Sequence, residues 1–262
     1  MRPHVPHHLM IAQSPLTREL HGRRHVLVDS GANEGMWSIL AGAHGGCSVL
    51  AIEPQPSCVR LVNSSLLKNA AHLDGRVSLL PRLLSPTPQV LEMSVLSECD
   101  GGGTFTREGM INSVGKFIPM SPGVERKLQK VPVPSTRLDE VSVLQGKHKI
   151  IELWHLDVEG AELLALRSAE RLFAERRIRR VMVEVTTSKW RSFGIEEQAG
   201  LAELQHIFEG WTCTVGCNKA PYSWKSGNLG VCDNHAGSRS PQAYQGTLVA
   251  LDVYCLAPGL TE

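Results

Sequence analysis

Apolar residues in this chain fall into two patterns that take turns: short unbroken runs, and stripes spaced three and four apart. The run Val26-Leu27-Val28 predicts a strand over 26–30, followed by a helix over about 34–43 that Gly45-Gly46 stops. A second strand over 48–53 gives way to Pro54 and Pro56. After them comes a helix to about 69, with Val59, Val62 and Leu66 on one stripe. Val77-Ser78-Leu79-Leu80 predicts a third strand, 150–156 a fourth and 181–185 a fifth. One long helix beginning near Ala161 is expected between the last two, with Leu163, Leu166 and Phe173 turned inward. Leu201, Leu204, Ile207 and Phe208 mark a helix over about 196–209, and strands over 211–215 and 247–256 close the chain. Continuous apolar strands separated by helices predict an α/β fold, a doubly wound sheet that is mostly parallel and carries an antiparallel C-terminal strand.

Three stretches depart from this alternation. Residues 1–24 are polar and proline-bearing, and read as an N-terminal arm ahead of a single domain over 25–262. Over 85–136 proline, serine and glycine breaks such as Gly101-Gly102-Gly103 interrupt short extended pieces, which predicts an insertion of loops and a small antiparallel pair. The long loop 217–246 holds Tyr222, Trp224 and Tyr244 among glycines, as expected of either a substrate-covering flap or a disordered segment.

Composition narrows the partners. The 262 residues carry a net charge of +1, which gives no general attraction to nucleic acid or to an anionic membrane. The basic cluster Arg176, Arg177, Arg179 and Arg180 follows a predicted helix, where cations complement the terminal dipole. No apolar run approaches the ~18 residues of a spanning helix, and the first residues lack the apolar core of a secretory signal. Seven cysteines, an odd number scattered through the chain, argue against a disulfide framework and for a reducing, cytoplasmic setting. Cys213, Cys217, Cys232 and His235 have zinc-like spacing. Cys213, however, sits in an apolar run where cysteine behaves as a core residue, so no metal is assigned.

Chemistry enters at the strand ends. The first strand breaks into Asp29-Ser30-Gly31-Ala32-Asn33-Glu34-Gly35, and twenty-two positions after Gly31 the second ends in Glu53. Glycines at 31 and 35 let backbone approach a ligand, and an acid on the next strand can accept from ribose hydroxyls. The spacing is Gly-x-x-x-Gly beside an acid, not the Gly-x-Gly-x-x-Gly that cradles a pyrophosphate. S-adenosyl-L-methionine has no phosphate and ends in an amino acid, so an acid near the turn suits it and a nicotinamide dehydrogenase is disfavoured.

Asp29, Glu53, Asp157 and Glu184 all fall at or near strand ends, where ligands of such sheets bind. In Asp157-Val158-Glu159-Gly160-Ala161-Glu162 an acid ends the fourth strand and two more open a helix, where the dipole favours them. His155 and Asp157 alternate onto one strand face and are expected to act as a base and its orienter toward an acceptor hydroxyl. Alternatively Asp157 and Glu159 hold a divalent cation that acidifies it. An amino methyltransferase of nucleic acid would want Asn-Pro-Pro-Tyr or Asp-Pro-Pro-Tyr after the fourth strand, and neither is there. The remaining alternative is a non-catalytic donor-binding module that works through a protein partner.

The run Val28-Asp29-Ser30-Gly31-Ala32-Asn33-Glu34-Gly35, the strand end Ile52-Glu53-Pro54, Ser135-Thr136-Arg137-Leu138-Asp139 and His155-Leu156-Asp157-Val158-Glu159-Gly160-Ala161-Glu162 together resemble the FkbM family of methyltransferases. The resemblance spans about 26–185. It implies a class I methyltransferase (Rossmann-like) fold, with Asp29, Gly31, Asn33 and Glu53 at donor-binding positions and Asp157 and Glu159 in a second motif. It also implies O-methylation of a small molecule or saccharide. His155 stands where the family usually has lysine, and the pattern fades after Val185.

Overall fold

The structure is a computed structural model that describes residues 25–44, 47–95, 98–99, 104–105, 129–146, 148–215 and 251–260. The expected arm and the 217–246 loop lie outside these residues.

The predicted runs pair into one seven-stranded sheet. Its members are β1 (His25–Ser30), β2 (Ser48–Ile52), β3 (Val77–Leu80), β8 (Ile150–Leu156), β9 (Arg180–Val185), β10 (Thr212–Val215) and β11 (Leu251–Leu256), in the order β10-β11-β9-β8-β1-β2-β3. All neighbours are parallel except β11, which runs antiparallel to both β9 and β10. From β1 the chain winds outward through β2 and β3, then crosses back to β8 on the other side. Strand order therefore reverses between β1 and β8, where a crevice opens beyond the carboxyl ends.

Strand alternation decides which side chains reach that crevice. Val26, Val28, Leu50, Trp154, Leu156, Val181 and Val183 point to one face and join the larger core. That core is completed by α4 (Glu162–Arg167), α5 (Glu170–Ala174) and α7 (Glu197–Ile207), through Leu163, Leu166, Leu172, Leu201 and Leu204. The opposite residues Leu27, Val49, Leu153 and Met182 pack against Trp37 and Ala41 of α1 (Met36–His44). Asp29 and His155 share this second face, paired in register across β1 and β8. The alternation continues past the strands, since Asp157 N donates to Ser30 O at 3.0 Å and Glu53 N to Leu80 O at 3.2 Å. Glu53, Asp157, Glu184 and Asp252 thus form a row of acids across the carboxyl edge, the last two paired in register.

Between β3 and β8 lies a separate four-stranded sheet. Its order is β4 (Leu83–Leu84), β7 (Gln129–Thr136), β5 (Val90–Val95), β6 (Thr104–Phe105), with β5 and β7 as its antiparallel centre. The helices α2 (Pro56–Lys68), α3 (Ala70–Leu73) and α6 (Thr187–Trp190) fill the remaining connections.

Two expectations are corrected. The long helix after Ala161 is broken into α4 and α5 at Ser168, whose backbone and hydroxyl are drawn sideways. Ser168 O accepts from Asp139 N at 3.1 Å, and Ser168 Oγ accepts from Leu138 N at 3.3 Å while donating to Ala165 O. Disulfides, argued against from the odd cysteine count, are present: Cys58–Cys99 and Cys213–Cys255. An odd count does not exclude bridges, and among the described residues the remaining cysteine, Cys47, is a buried thiol. The second bridge also removes Cys213 from any zinc set, because thiolate ligation and a disulfide exclude each other. Cys217, Cys232 and His235 lie outside the described residues. Among the described residues no helix is long and apolar enough to cross a membrane.

Candidate active site

The turn after β1 is built by backbone. Gly31 N and Ala32 N both donate to Ile52 O, at 2.9 and 3.1 Å, which folds the chain over the end of β2. Gly31 has φ +83°, and a Cβ there would lie 1.6 Å from Asp157 O. Glycine is required twice over, for the left-handed backbone and for contact between the two loops that flank the crevice. Gly35, also left-handed at φ +77°, serves packing as well, since a Cβ on it would meet Val62 of α2 at 3.0 Å.

Asn33, also left-handed at φ 51°, donates its backbone N–H to Glu53 Oε2 at 2.8 Å. Gln55 N donates to Glu53 Oε1 at 2.7 Å. Each carboxylate oxygen has a further lone pair, so the Glu53 group is held in place and can still accept from a ligand. Burial pushes its carboxyl up to about 7, against the pull of the two amides, and the fields of Asp29 and Asp157 add to the rise.

Asp29 lies beneath this turn. It is 1 % exposed, and both its oxygens are engaged by protein: Oδ1 with His155 Nδ1 at 2.9 Å, and Oδ2 with the Ser38 hydroxyl at 2.5 Å. The Trp37 indole stacks on the His155 ring with centroids 5.3 Å apart. Burial opposes a charge on His155. The Asp29 hydrogen bond and the fields of Asp29, Asp157 and Asp252 outweigh it and raise the imidazole above its ordinary value. Asp29 is therefore fixed beneath the site by His155 and Ser38.

Asp157 ends β8 beside Glu184 of β9, and the two carboxyls share a hydrogen bond. Burial, then that bond, then the neighbouring acids Asp157, Glu159 and Asp252 push Glu184 up to about 9, so the pair retains a proton at neutral pH. Glu159 sits in a left-handed turn at φ 53° and pairs with Lys189 Nζ of α6. Glu162 is fully buried, accepting from Gly160 N at 2.8 Å and from Trp190 Nε1 at 2.7 Å, which ties α6 to the loop. Oxygens of Asp157, Glu159 and Glu184 lie within 4.8 Å of one another, a spacing that a divalent cation could bridge.

The sequence-predicted residues thus gather at one edge, with altered pairings. His155 is oriented by Asp29 across the sheet, not by Asp157 along its own strand, and Asp157 goes to Glu184. Glu184, visible in sequence as a strand-end acid, belongs with the catalytic candidates. Ser38, Trp37, Lys189 and Trp190 carried no local sign of their contacts. Arg137 and Asp139, from the third segment of the resemblance, do not enter the crevice chemistry. Their bidentate pair, at 2.9 and 2.8 Å, with Arg171 N also donating to Asp139 Oδ2, secures the β7 end to α5.

A family model described as the methyltransferase FkbM domain matches residues 29–209. No curated protein sequence matches the chain. Among solved structures, a methyltransferase FkbM from Methylobacillus flagellatus KT is similar at 12% identity and TM-score 0.48, covering 95% of this chain and 58% of that one. The chain therefore spans less than two thirds of that relative's length. The human methyltransferase 10 domain containing protein is similar at 13% identity and TM-score 0.41, covering 98% and 85%. An rRNA methylase from Streptococcus thermophilus is similar at 11% identity and TM-score 0.44, covering 98% and 99%.

Proposed function

The chain belongs to the FkbM methyltransferase family and has the class I methyltransferase fold, and from that premise we propose that it moves the methyl group of S-adenosyl-L-methionine to a hydroxyl of a small molecule or saccharide. The observation that carries the reading is the contact of Gly31 with Asp157 O, which sets the donor-side acid Glu53 and the acceptor-side acid Asp157 on adjoining loops of one crevice. The residues fit the donor: a fixed carboxylate with spare lone pairs suits a ribose diol, and a turn without a Cβ admits the close approach of a ligand. Glu53, Gly31 and Asn33 would hold it. Bound there, the sulfonium supplies an electrophilic methyl carbon.

The remaining work is alignment, exclusion of water and removal of one proton. Asp157 faces the acceptor side and accepts the hydroxyl proton. Glu184, already protonated, donates to Asp157 and keeps two adjacent carboxyls from both ionising. Lys189 holds Glu159, and the Asp29–His155 pair fixes the floor beneath. The near-zero net charge supports a small acceptor over nucleic acid.

The test is calorimetric titration with S-adenosylmethionine and S-adenosylhomocysteine, on the parent and on Glu53→Ala, followed by S-adenosylhomocysteine release with a panel of hydroxyl acceptors. Binding by the parent that is lost in Glu53→Ala, together with acceptor-dependent release, is expected. Equal binding by both proteins would remove Glu53 from the site.

A further inference from the structure

Glu53 is held by two backbone amides, and both of their owners touch the same disulfide assembly. Cys58, in the first turn of α2 and fully buried, is bonded to Cys99, which lies beyond β5 and 41 residues along the chain. Asn33, whose N–H bonds Glu53 Oε2, places its side-chain oxygen 3.0 Å from Cys99 Sγ and 3.5 Å from Cys58 Sγ. Gln55, whose N–H bonds Glu53 Oε1, donates from Nε2 to Glu98 O at 2.8 Å. Asn33 thus touches both the disulfide and the donor-side acid, and Gln55 links that acid to the residue before Cys99. Glu98 itself is exposed. Without the covalent tie, the contacts that hold the 98–99 segment to this turn among the described residues are the hydrogen bond from Gln55 Nε2 to Glu98 O and the approach of Cys99 Sγ to Asn33 Oδ1, a weak restraint.

We propose that the Cys58–Cys99 disulfide is a redox clasp that keeps Asn33 and Gln55 in the arrangement that orders Glu53, so that its reduction weakens donor binding. The proposal rests on the reading of Glu53 as the donor-side acid. The chemistry is thiol–disulfide exchange with a dithiol reductant. One thiolate of the reductant attacks a sulfur of the pair and breaks the S–S bond, and its second thiol displaces the mixed disulfide. The reductant leaves as its own disulfide, having given up two electrons and two protons, and Cys58 and Cys99 remain as thiols. Cys213–Cys255 supplies an internal control, because it joins residues already paired in register on β10 and β11, away from Glu53.

The experiment titrates S-adenosylhomocysteine into oxidised and dithiothreitol-reduced protein, using the parent, Cys213→Ala/Cys255→Ala and Cys58→Ala/Cys99→Ala. Peptide mapping assigns the bridges, and near-UV circular dichroism reports tertiary packing. A clasp whose release leaves the turn competent about a tenth of the time weakens affinity about tenfold. That loss is expected on reducing the parent and the Cys213→Ala/Cys255→Ala protein, with folded spectra retained. The Cys58→Ala/Cys99→Ala protein should bind weakly from the start and ignore reductant. Should this last variant not fold, the Cys213→Ala/Cys255→Ala protein with and without reductant decides alone. Equal affinity in both redox states, no Cys58–Cys99 peptide in oxidised protein, or global unfolding on reduction overturns the clasp and leaves the donor reading intact. Absence of binding in either state overturns both.

Discussion

Gly31 and Asp157 are in contact across the switch point of the sheet, with the glycine α-carbon so close to the aspartate carbonyl oxygen that a methyl group would lie 1.6 Å from it. Gly31→Ala must therefore push the two crevice loops apart as well as force an alanine to φ +83°. The backbone conformation alone costs about 1–2 kcal/mol, and the displacement adds to it. The expected outcome is a lower melting temperature and loss of detectable donor binding by calorimetry. Parent-like affinity in Gly31→Ala would show that the two loops can separate without harm to the crevice.

Glu53 couples donor binding to pH. Its folded carboxyl is raised from 4.5 to about 7, so the folded protein holds this proton more tightly than the unfolded chain. The associated stability is fully present below pH 4.5, declines as pH rises, and is gone once the pH passes about 7. For so buried a group the loss is on the order of 3 kcal/mol. Glu53→Gln cannot ionise, so denaturant melts should show a shallower decline for the variant than for the parent between pH 4 and pH 8. The variant also presents an amide NH2 to a backbone N–H and to the ribose, and should bind the donor about a hundredfold more weakly. Parallel stability profiles would mean that the Glu53 carboxyl titrates in the ordinary range.

The Asp29–His155 pair answers to pH in a recognisable way. The raised imidazole makes the pair most stabilising in acid, fully so below the ordinary value of 6.5, and the benefit disappears as pH rises through the folded value. His155→Gln keeps a donor for Asp29 but not the charge, so the stability gap between parent and variant should be widest below the ordinary value of 6.5 and close as pH rises through the raised folded value. Asp29→Ala strands both His155 and the Ser38 hydroxyl in the interior and should cost about 3–5 kcal/mol. A gap that does not vary with pH in His155→Gln would mean the imidazole is neutral throughout.

The parts of this architecture that were legible in the sequence are those set by local pattern. The runs that become β1, β2, β8 and β9 are largely buried and therefore nearly uninterrupted, and the edge strand β3 is a short apolar run, so their ends, and the acids at those ends, could be placed to within a residue or two. What failed depends on partners distant in sequence. His155 and Asp157 share a strand face, but their hydrogen bonds go to neighbouring strands, to Asp29 and Glu184, and only the strand order reveals that. The break at Ser168 comes from Leu138 and Asp139, thirty residues earlier, and leaves no mark in helical periodicity. Cys213 and Cys255 meet through an antiparallel pairing, and Cys58 and Cys99 meet across a region where alternation stops, so spacing alone suggested neither bridge.

The Asp157–Glu184 pair makes the most direct test of the proposed chemistry. Glu184 is pushed up to about 9, so below that pH it donates a hydrogen bond to Asp157, and above it the two carboxylates repel. Glu184→Gln makes a donor permanent. Once an acceptor is in hand, the parent's rate should fall on the alkaline side as Glu184 ionises, and the variant should lack that limb while keeping turnover within a few-fold near pH 7. Stability carries the same signature, because a raised carboxyl contributes below 4.5 and loses its contribution by about 9, whereas the glutamine does not titrate. Asp157→Asn retains the shape but cannot take a proton from the acceptor, and should lower kcat by roughly 10²–10⁴ with donor affinity little changed. The cation alternative separates cleanly in the same assay. If the three carboxylates act by holding a divalent ion, EDTA abolishes turnover and magnesium or manganese restores it. If Asp157 acts as a base, EDTA leaves the rate unchanged and only the substitutions at 157 and 184 move it.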